Sequence, residues 1–283
     1  MPEGDTVHKI AARFRSTIEG RRLESLWVSD RGPVEDLEGS LLADVSAVGK
    51  HLVIALGSRE DAPRETVASW YLHVHLGMWG RWHRYAPGDR WSRASSDARI
   101  RLGVDGAEWV CFRAARAELL RRVDLETHPS ITHLGPDLLD HRFDLERIIA
   151  RAEAAENATV SDLLLDQRVA CGIGNVYRNE ILFLEGLSPS TPVTALDRET
   201  LRRLYRRART LMRANLGGWR RTTTRAVSKA APLRLGEPRA WVYNRAERPC
   251  LRCRTPIRSA RLGDQARATY WCPRCQYGRF RLP

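Results

Sequence analysis

The chain predicts a multidomain α+β protein, and three observations carry that expectation. One helical apolar stripe occupies residues 5–18; short apolar runs of strand length fill residues 20–115; helical periodicity returns beyond residue 144. A cysteine-bearing tail of about forty residues closes the chain. The succession implies a β-sandwich with a leading helix, then a helical domain, then a small hairpin module. The boundaries that follow are 1–126, a linker at 127–143, 144–240 and 241–283.

Val7, Ile10, Ala11, Phe14 and Ile18 share one face of the first helix, and Asp5 is its candidate N-cap. Six apolar runs then read as strands: Leu23–Val28, Leu41–Val48, His51–Leu56, Val67–His75, Ile100–Val104 and Trp109–Phe112. Gly, Pro, Asp and Ser clusters separate them, as turns require. His128-Pro129 and Gly135-Pro136 mark the linker. Leu145–Glu153, Val160–Gln167, Val176–Glu185 and Arg198–Leu216 are the expected helices. The last is laced with arginine, and a basic stretch from Arg220 to Lys229 leads on to the tail. In the tail, Ala268–Trp271 is the clearest strand.

Composition narrows the partner. Lys and Arg number 47 against 34 Asp and Glu, a formal net charge of +13. So large an excess favours a polyanion, because neutralising phosphates releases counterions whatever the base sequence. No run approaches the ~18 apolar residues of a membrane span, and no leader pattern opens the chain, so a cytoplasmic, monomeric protein is expected.

Six cysteines divide into two kinds. Cys111 and Cys171 stand alone in apolar or glycine-rich surroundings and read as buried small residues. Cys250, Cys253, Cys272 and Cys275 form two Cys-x-x-Cys pairs separated by 18 residues. Four thiolates at that spacing close a tetrahedron around one structural Zn2+, leaving no position open for water.

Several residues could carry chemistry. The chain starts Met1-Pro2-Glu3-Gly4. Removal of Met1 would expose a secondary amine at Pro2, able to attack an aldehyde-like carbon and form an iminium. Glu3, one peptide bond away, suits proton transfer. A helix starting at residue 5 would hold both in place, and its positive end would disfavour a charged amine. Lys50 follows Gly49 between two strands; Met78 lies in the Gly-bounded segment His75-Leu76-Gly77-Met78-Trp79-Gly80. Met78 reads equally as core filler or as a flexible side chain that fills the gap left by an extruded base. Gly172-Ile173-Gly174-Asn175 separates two helices, and amides exposed there would bind phosphate, with Asn175 as the cap. No strand precedes it, which argues against a dinucleotide fold. Arg267 falls in the turn of the expected hairpin.

Together these landmarks resemble, in order and spacing and nearly end to end, the formamidopyrimidine-DNA glycosylase and endonuclease VIII family. The Pro-Glu-Gly start, Gly49-Lys50, His75-Leu76-Gly77-Met78, Leu163–Leu182 and Cys250–Gln276 carry the resemblance. It implies a helix–two-turns–helix DNA-binding domain, a zinc finger, damaged DNA (duplex or single-stranded) as partner, and base-excision chemistry. Pro2 is then the Schiff-base nucleophile at deoxyribose C1′ and Glu3 the acid/base. Lys50 contacts phosphate and assists β-elimination, while Asn175, Arg178 and Arg267 serve DNA binding. Arg267 is also the candidate for δ-elimination. Purine-type members usually carry Asp-Pro-Arg-Arg-Phe-Gly after the strand near 110, whereas this chain has Phe112-Arg113-Ala114-Ala115-Arg116-Ala117-Glu118. The start Pro2-Glu3-Gly4-Asp5-Thr6-Val7-His8 resembles the actinobacterial endonuclease VIII branch, with oxidised pyrimidines as the expected lesions and an oxidised-purine glycosylase, or a non-catalytic zinc-containing nucleic-acid-binding relative, as the alternatives.

Overall fold

A computed structural model describes residues 1–57, 69–155, 158–218, 220–224, 236–263 and 266–276. The chain divides into two compact units, Met1–His133 and Leu134–Pro283. Each has its own apolar core. The division falls inside the 127–143 segment that the sequence marks as a linker.

In the first unit, α1 (Gly4–Thr17) buries Val7, Ala11 and Phe14, with Ile18 just beyond it. The helix begins one residue earlier than its side chains suggest. Glu3 is the N-cap, in extended backbone at φ −131°, and its carbonyl accepts the Thr6 and Val7 N–H groups at 2.9 and 3.2 Å. Asp5 is therefore not the cap; it sits buried in the first turn, 3.6 Å from Lys9.

Nine strands follow among the described residues: β1 (Ser25–Val28), β2 (Gly32–Pro33), β3 (Leu42–Val48), β4 (His51–Leu56), β5 (Trp70–His75), β6 (Arg81–Tyr85), β7 (Ala98–Val104), β8 (Ala107–Phe112) and β9 (Arg116–Arg121). All pair antiparallel, in sheets ordered β2-β1-β7-β8-β6 and β3-β4-β5-β9. Residues of α1 and of both sheets share one core, including Phe14, Val28, Leu42, Ile54, Leu72, Ile100 and Leu102. That is the expected sandwich.

Three strands escape the sequence pattern. In β6, Arg81-Trp82-His83-Arg84-Tyr85 hides its alternation behind charged residues; in β9, Arg116-Ala117-Glu118-Leu119-Leu120-Arg121 is composed of helix formers. Six paired residues on β5 override that local preference. Two-residue β2 has no periodicity to read. Short helices α2 (Arg122–Glu126) and α3 (Pro129–Thr132) end the unit.

The second unit contains α4 (Leu145–Glu153), α5 (Val160–Leu165), α6 (Asn175–Leu184) and α7 (Arg198–Ala214). Asp144, Thr159 and Asp197 cap α4, α5 and α7 through their side chains. Many arginines of α7 are paired: Arg198 and Arg202 with Glu146, Arg203 and Arg207 with Glu185. Held in solvent on the arginine side, such pairs contribute little stability each. Hairpin β10 (Arg258–Leu262) and β11 (Arg267–Trp271) completes the unit, and β11 packs against α6. The basic stretch expected from Arg220 runs from residue 225 outside the described residues.

Candidate active site and nucleic-acid interface

The chain start is built in rather than frayed. Glu3 is fully buried and Pro2 half-buried. Helix α1, which fixes them, packs on β3 and β4. Those strands meet in a two-residue turn, Gly49-Lys50, between the paired residues Val48 and His51. Gly49 has φ +58° and Lys50 has no positive φ, the pattern of a type II′ turn, which demands glycine at its first position. Pro2, the buried Glu3 carboxylate and the turn-borne Lys50 thus stand on neighbouring elements of the first unit.

Between β5 and β6, Gly80 N–H closes a turn on Leu76 O at 2.9 Å. Gly77 has φ +63°, and a Cβ there would stand 2.6 Å from the Ala115 Cβ. Only glycine lets this turn lie against the β8–β9 connection. Met78 is 50% exposed and Trp79 68%. Exposure of that size removes the core-filler reading of Met78. Trp79 was not singled out from sequence. The β8–β9 connection is three residues long, and Arg113, at φ +52°, pairs with Asp97 at 2.8 Å. Arg113 is thereby turned into the sandwich's own ion pair.

In the second unit the structure brings Asn175, Arg178 and the residues beside Arg267 together. Gly174, not Asn175, is the N-cap of α6. Asn175 is the first helical residue, and its Nδ2 donates to Ala268 O at 2.9 Å. Arg178 is also placed differently from expectation. Its side chain is fully buried and donates to Ala268 O at 3.1 Å and Thr269 Oγ1 at 2.8 Å, so it grips the hairpin from inside. Asn179 Oδ1 accepts the Tyr270 N–H at 2.7 Å. Three side chains one helical face apart therefore bind three successive residues of β11. Arg267, exposed, begins that strand opposite Leu262, one position from the anchored Ala268.

A further anchor was not legible in the sequence. The Glu180 carboxylate, fully buried, accepts N–H groups of Trp241, Val242 and Tyr243 at 2.8–2.9 Å and the Thr223 hydroxyl. Burial pushes its pKa up, opposed by these four donors. Three consecutive amides around one carboxylate make an anion nest that ties α6 to the start of the cysteine module.

The four cysteines converge. Their Sγ atoms all lie within 4.8 Å of one another, with Cys250–Cys275 at 3.9 Å and Cys253–Cys272 at 3.4 Å. A tetrahedron with metal–sulfur bonds of ~2.3 Å has edges of about 3.8 Å, so the donor set fits Zn2+. Amides of Arg252 and Cys275 donate to Cys250 and Cys272 sulfurs, as thiolates invite. Phe183 of α6 joins Cys250, Val242, Ile257 and Cys272 in a small core.

Four histidines form a second cluster that the sequence reading passed over. His73 and His128 flank Glu118 in the first unit, His51 bonds His73, and His75 packs against His51. The signal available was His73-x-His75 in a strand, with His51 two residues past a glycine.

Three family models match this chain: the formamidopyrimidine-DNA glycosylase N-terminal domain over residues 1–118, the formamidopyrimidine-DNA glycosylase H2TH domain over 134–226, and the zinc finger found in FPG and IleRS over 248–276. "Probable endonuclease 8 2" of Streptomyces coelicolor is 38% identical, covering 98% of this chain and 95% of the relative. "DNA-(apurinic or apyrimidinic site) lyase Nei2" of Mycolicibacterium smegmatis is 37% identical over 98% and 99%. Among solved structures, the MutM (Fpg) protein of Thermus thermophilus aligns at TM-score 0.75 and 28% identity, over 97% of this chain and 98% of that one. Lactococcus lactis formamidopyrimidine DNA glycosylase bound to DNA containing an AP site shares the fold at TM-score 0.76 and 17% identity, over 98% and 100%.

Proposed function

Because this chain belongs to the formamidopyrimidine-DNA glycosylase and endonuclease VIII family of DNA glycosylase/AP lyases, we propose that it excises oxidised pyrimidines from DNA through an iminium on Pro2. The carrying observation is the chain start: an N-terminal proline followed by a fully buried carboxylate at the head of a packed helix. With Met1 removed, the Pro2 nitrogen attacks C1′ as the base departs, and Glu3 moves the proton that ring opening requires. The iminium acidifies C2′–H, so one site both removes the base and breaks the strand by β-elimination. Lys50 holds phosphate and assists that step; Arg267 completes δ-elimination and grips the backbone with Asn175. Zn2+ on Cys250, Cys253, Cys272 and Cys275 is structural, holding the hairpin that carries Arg267. Arg178 acts by fixing that hairpin rather than by touching DNA.

Pyrimidine preference is supported by the endonuclease 8 names of the 37–38% identical relatives and by the short β8–β9 connection. Met78 and Trp79 are the large apolar side chains offered to the gap left by an extruded base. Among the described residues no helix is long and apolar enough to cross a membrane; action on DNA in the cytoplasm, as a monomer, is part of this reading. Borohydride trapping on duplexes carrying thymine glycol, dihydrouracil, 8-oxoguanine or an abasic site tests it. Adducts on the first two and the abasic duplex, and weak trapping opposite 8-oxoguanine, are expected. Preferential trapping on 8-oxoguanine would reverse the lesion assignment.

A further inference from the structure

Strands β4, β5 and β9 lie side by side, and one face pairs His51 with His75, His75 with Arg116, and His73 with Glu118. Hydrogen-bond direction across this face is fixed by chemistry. A carboxylate only accepts, so His73, 3.0 Å from Glu118 Oε2 through Nδ1, carries its proton there. Burial holds His73 below its ordinary pKa, outweighing the raising effect of Glu118, so the ring is neutral and Nε2 is bare. His51 Nδ1, 2.9 Å away, must then be the donor to it. Burial, then His75, His73, Lys50 and His128, bring the pKa of His51 to about 3, leaving Nε2 as its accepting atom at neutral pH.

On the far side, His128 Nδ1 accepts the Ser130 N–H at 3.2 Å. Its Nε2 lies 3.4 Å from Glu118 Oε2 and 3.3 Å from Arg116 Nη1. Arg116 donates to the other carboxylate oxygen at 3.2 Å. His73, Glu118 and His128 stand close enough to hold a metal ion. Yet the His73 nitrogen that faces the carboxylate already carries a proton directed at it, and an imidazole nitrogen that binds metal must be bare.

We propose that Glu118, His73 and His51 form a relay of positioning residues that fixes the Gly49-Lys50 turn. The logic is that of a buried carboxylate orienting a catalytic imidazole, extended by one ring. Glu118 sets the tautomer of His73, and His73 sets that of His51, the residue directly after Lys50. The ring so held stays uncharged beside the Lys50 ammonium, where a second positive charge would repel it. Lys50 on the turn, His75 on β5, Arg116 and Glu118 on β9, and His128 before α3 are the charged and titratable groups of the cluster. The relay rests on the reading of Lys50 as the phosphate and elimination residue.

The test compares Glu118→Ala, Glu118→Gln and Lys50→Ala in two assays on a preformed abasic duplex: single-turnover strand cleavage and borohydride trapping. Glu118→Ala should slow cleavage roughly ten- to hundredfold, the order expected when a reacting group is misplaced by about an ångström. Its trapped adduct should be undiminished, because Pro2 is untouched. Glu118→Gln keeps an oxygen to accept from His73 and should recover most of the rate. Normal cleavage by Glu118→Ala, equal loss in the Gln variant, or loss of trapping in step with cleavage overturns the relay. Normal cleavage by Lys50→Ala instead overturns the assignment of Lys50. Should Glu118→Ala not fold, nitrogen–proton correlation spectra of the wild-type histidines decide: His51 protonated on Nδ1 is required, and protonation on Nε2, or a second zinc per chain, is disqualifying.

Discussion

Pro2 and Glu3 concentrate the chemistry into two residues, and their separate roles give separable outcomes. Pro2→Gly, or retention of Met1, should abolish borohydride-trapped adducts while DNA affinity stays within a few fold. Trapping that persists would move the nucleophile to a lysine. Glu3→Gln should bind normally and lose most base excision, read as a fall in single-turnover rate with little change in affinity. Met78→Ala should slow excision where the target base is paired and stacked, since unstacking costs a few kcal/mol, and leave abasic cleavage near normal. Equal slowing on both substrates would remove Met78 from base extrusion. The sequence singles these residues out because their chemistry is local: a proline at position two, a lysine after a glycine, a methionine between glycines. The burial of Arg178 is out of the sequence's reach for the opposite reason. Nothing in Val176-Tyr177-Arg178-Asn179 says that this arginine will be enclosed by a hairpin ninety residues later.

At the scale of elements, periodicity recovered α1, α4 to α7 and most sandwich strands, because burial of one face repeats along them. It failed where pairing partners decide, as in β9, and where a carboxylate answers backbone groups, as with Glu180. Glu180→Gln would turn amide hydrogens towards the N–H groups of 241–243 and leave buried donors facing donors, at roughly 1–3 kcal/mol each. The variant should loosen the cysteine module, seen as faster amide exchange over 241–257, with the sandwich unaffected. The histidine face sets a pH limit on the sandwich. His51 and His75 have folded-state values of about 3 and about 4, against 6.5 unfolded, from burial first. Above pH 6.5 neither state binds these protons. Between 6.5 and 4 the unfolded chain takes them up and the folded sheet refuses, so stability falls as pH falls. Thermal midpoints of the first unit should drop through that window, and His75→Gln should flatten the slope. A midpoint independent of pH from 6.5 to 4.5 contradicts neutral burial.

Across the whole molecule, two units with separate cores imply two separable unfolding transitions. Cys253→Ser should release zinc and lower the transition of the second unit alone, because so small a module folds with its metal. Damaged-duplex binding should weaken with it. Full zinc content in that variant would contradict the ligand set. The net charge of +13 acts at longer range. Arg267→Ala removes one exposed cation, so affinity should fall on every duplex and the salt dependence flatten by about one unit. An unchanged salt slope would take Arg267 off the backbone. The four bonds from α6 to β11 bear on how this molecule tolerates change. Asn175 and Arg178 hold Ala268 by its carbonyl, and Asn179 holds Tyr270 by its amide, so this part of the grip, unlike the Arg178 bond to the Thr269 hydroxyl, does not depend on which side chains the strand carries. The placement of Arg267 is thus dictated from the helix and not from the residues that lead into the strand. Extra residues inserted after Gly263 should leave it where it is, which makes that point a site where lineages, or engineers, can lengthen the chain without disarming it.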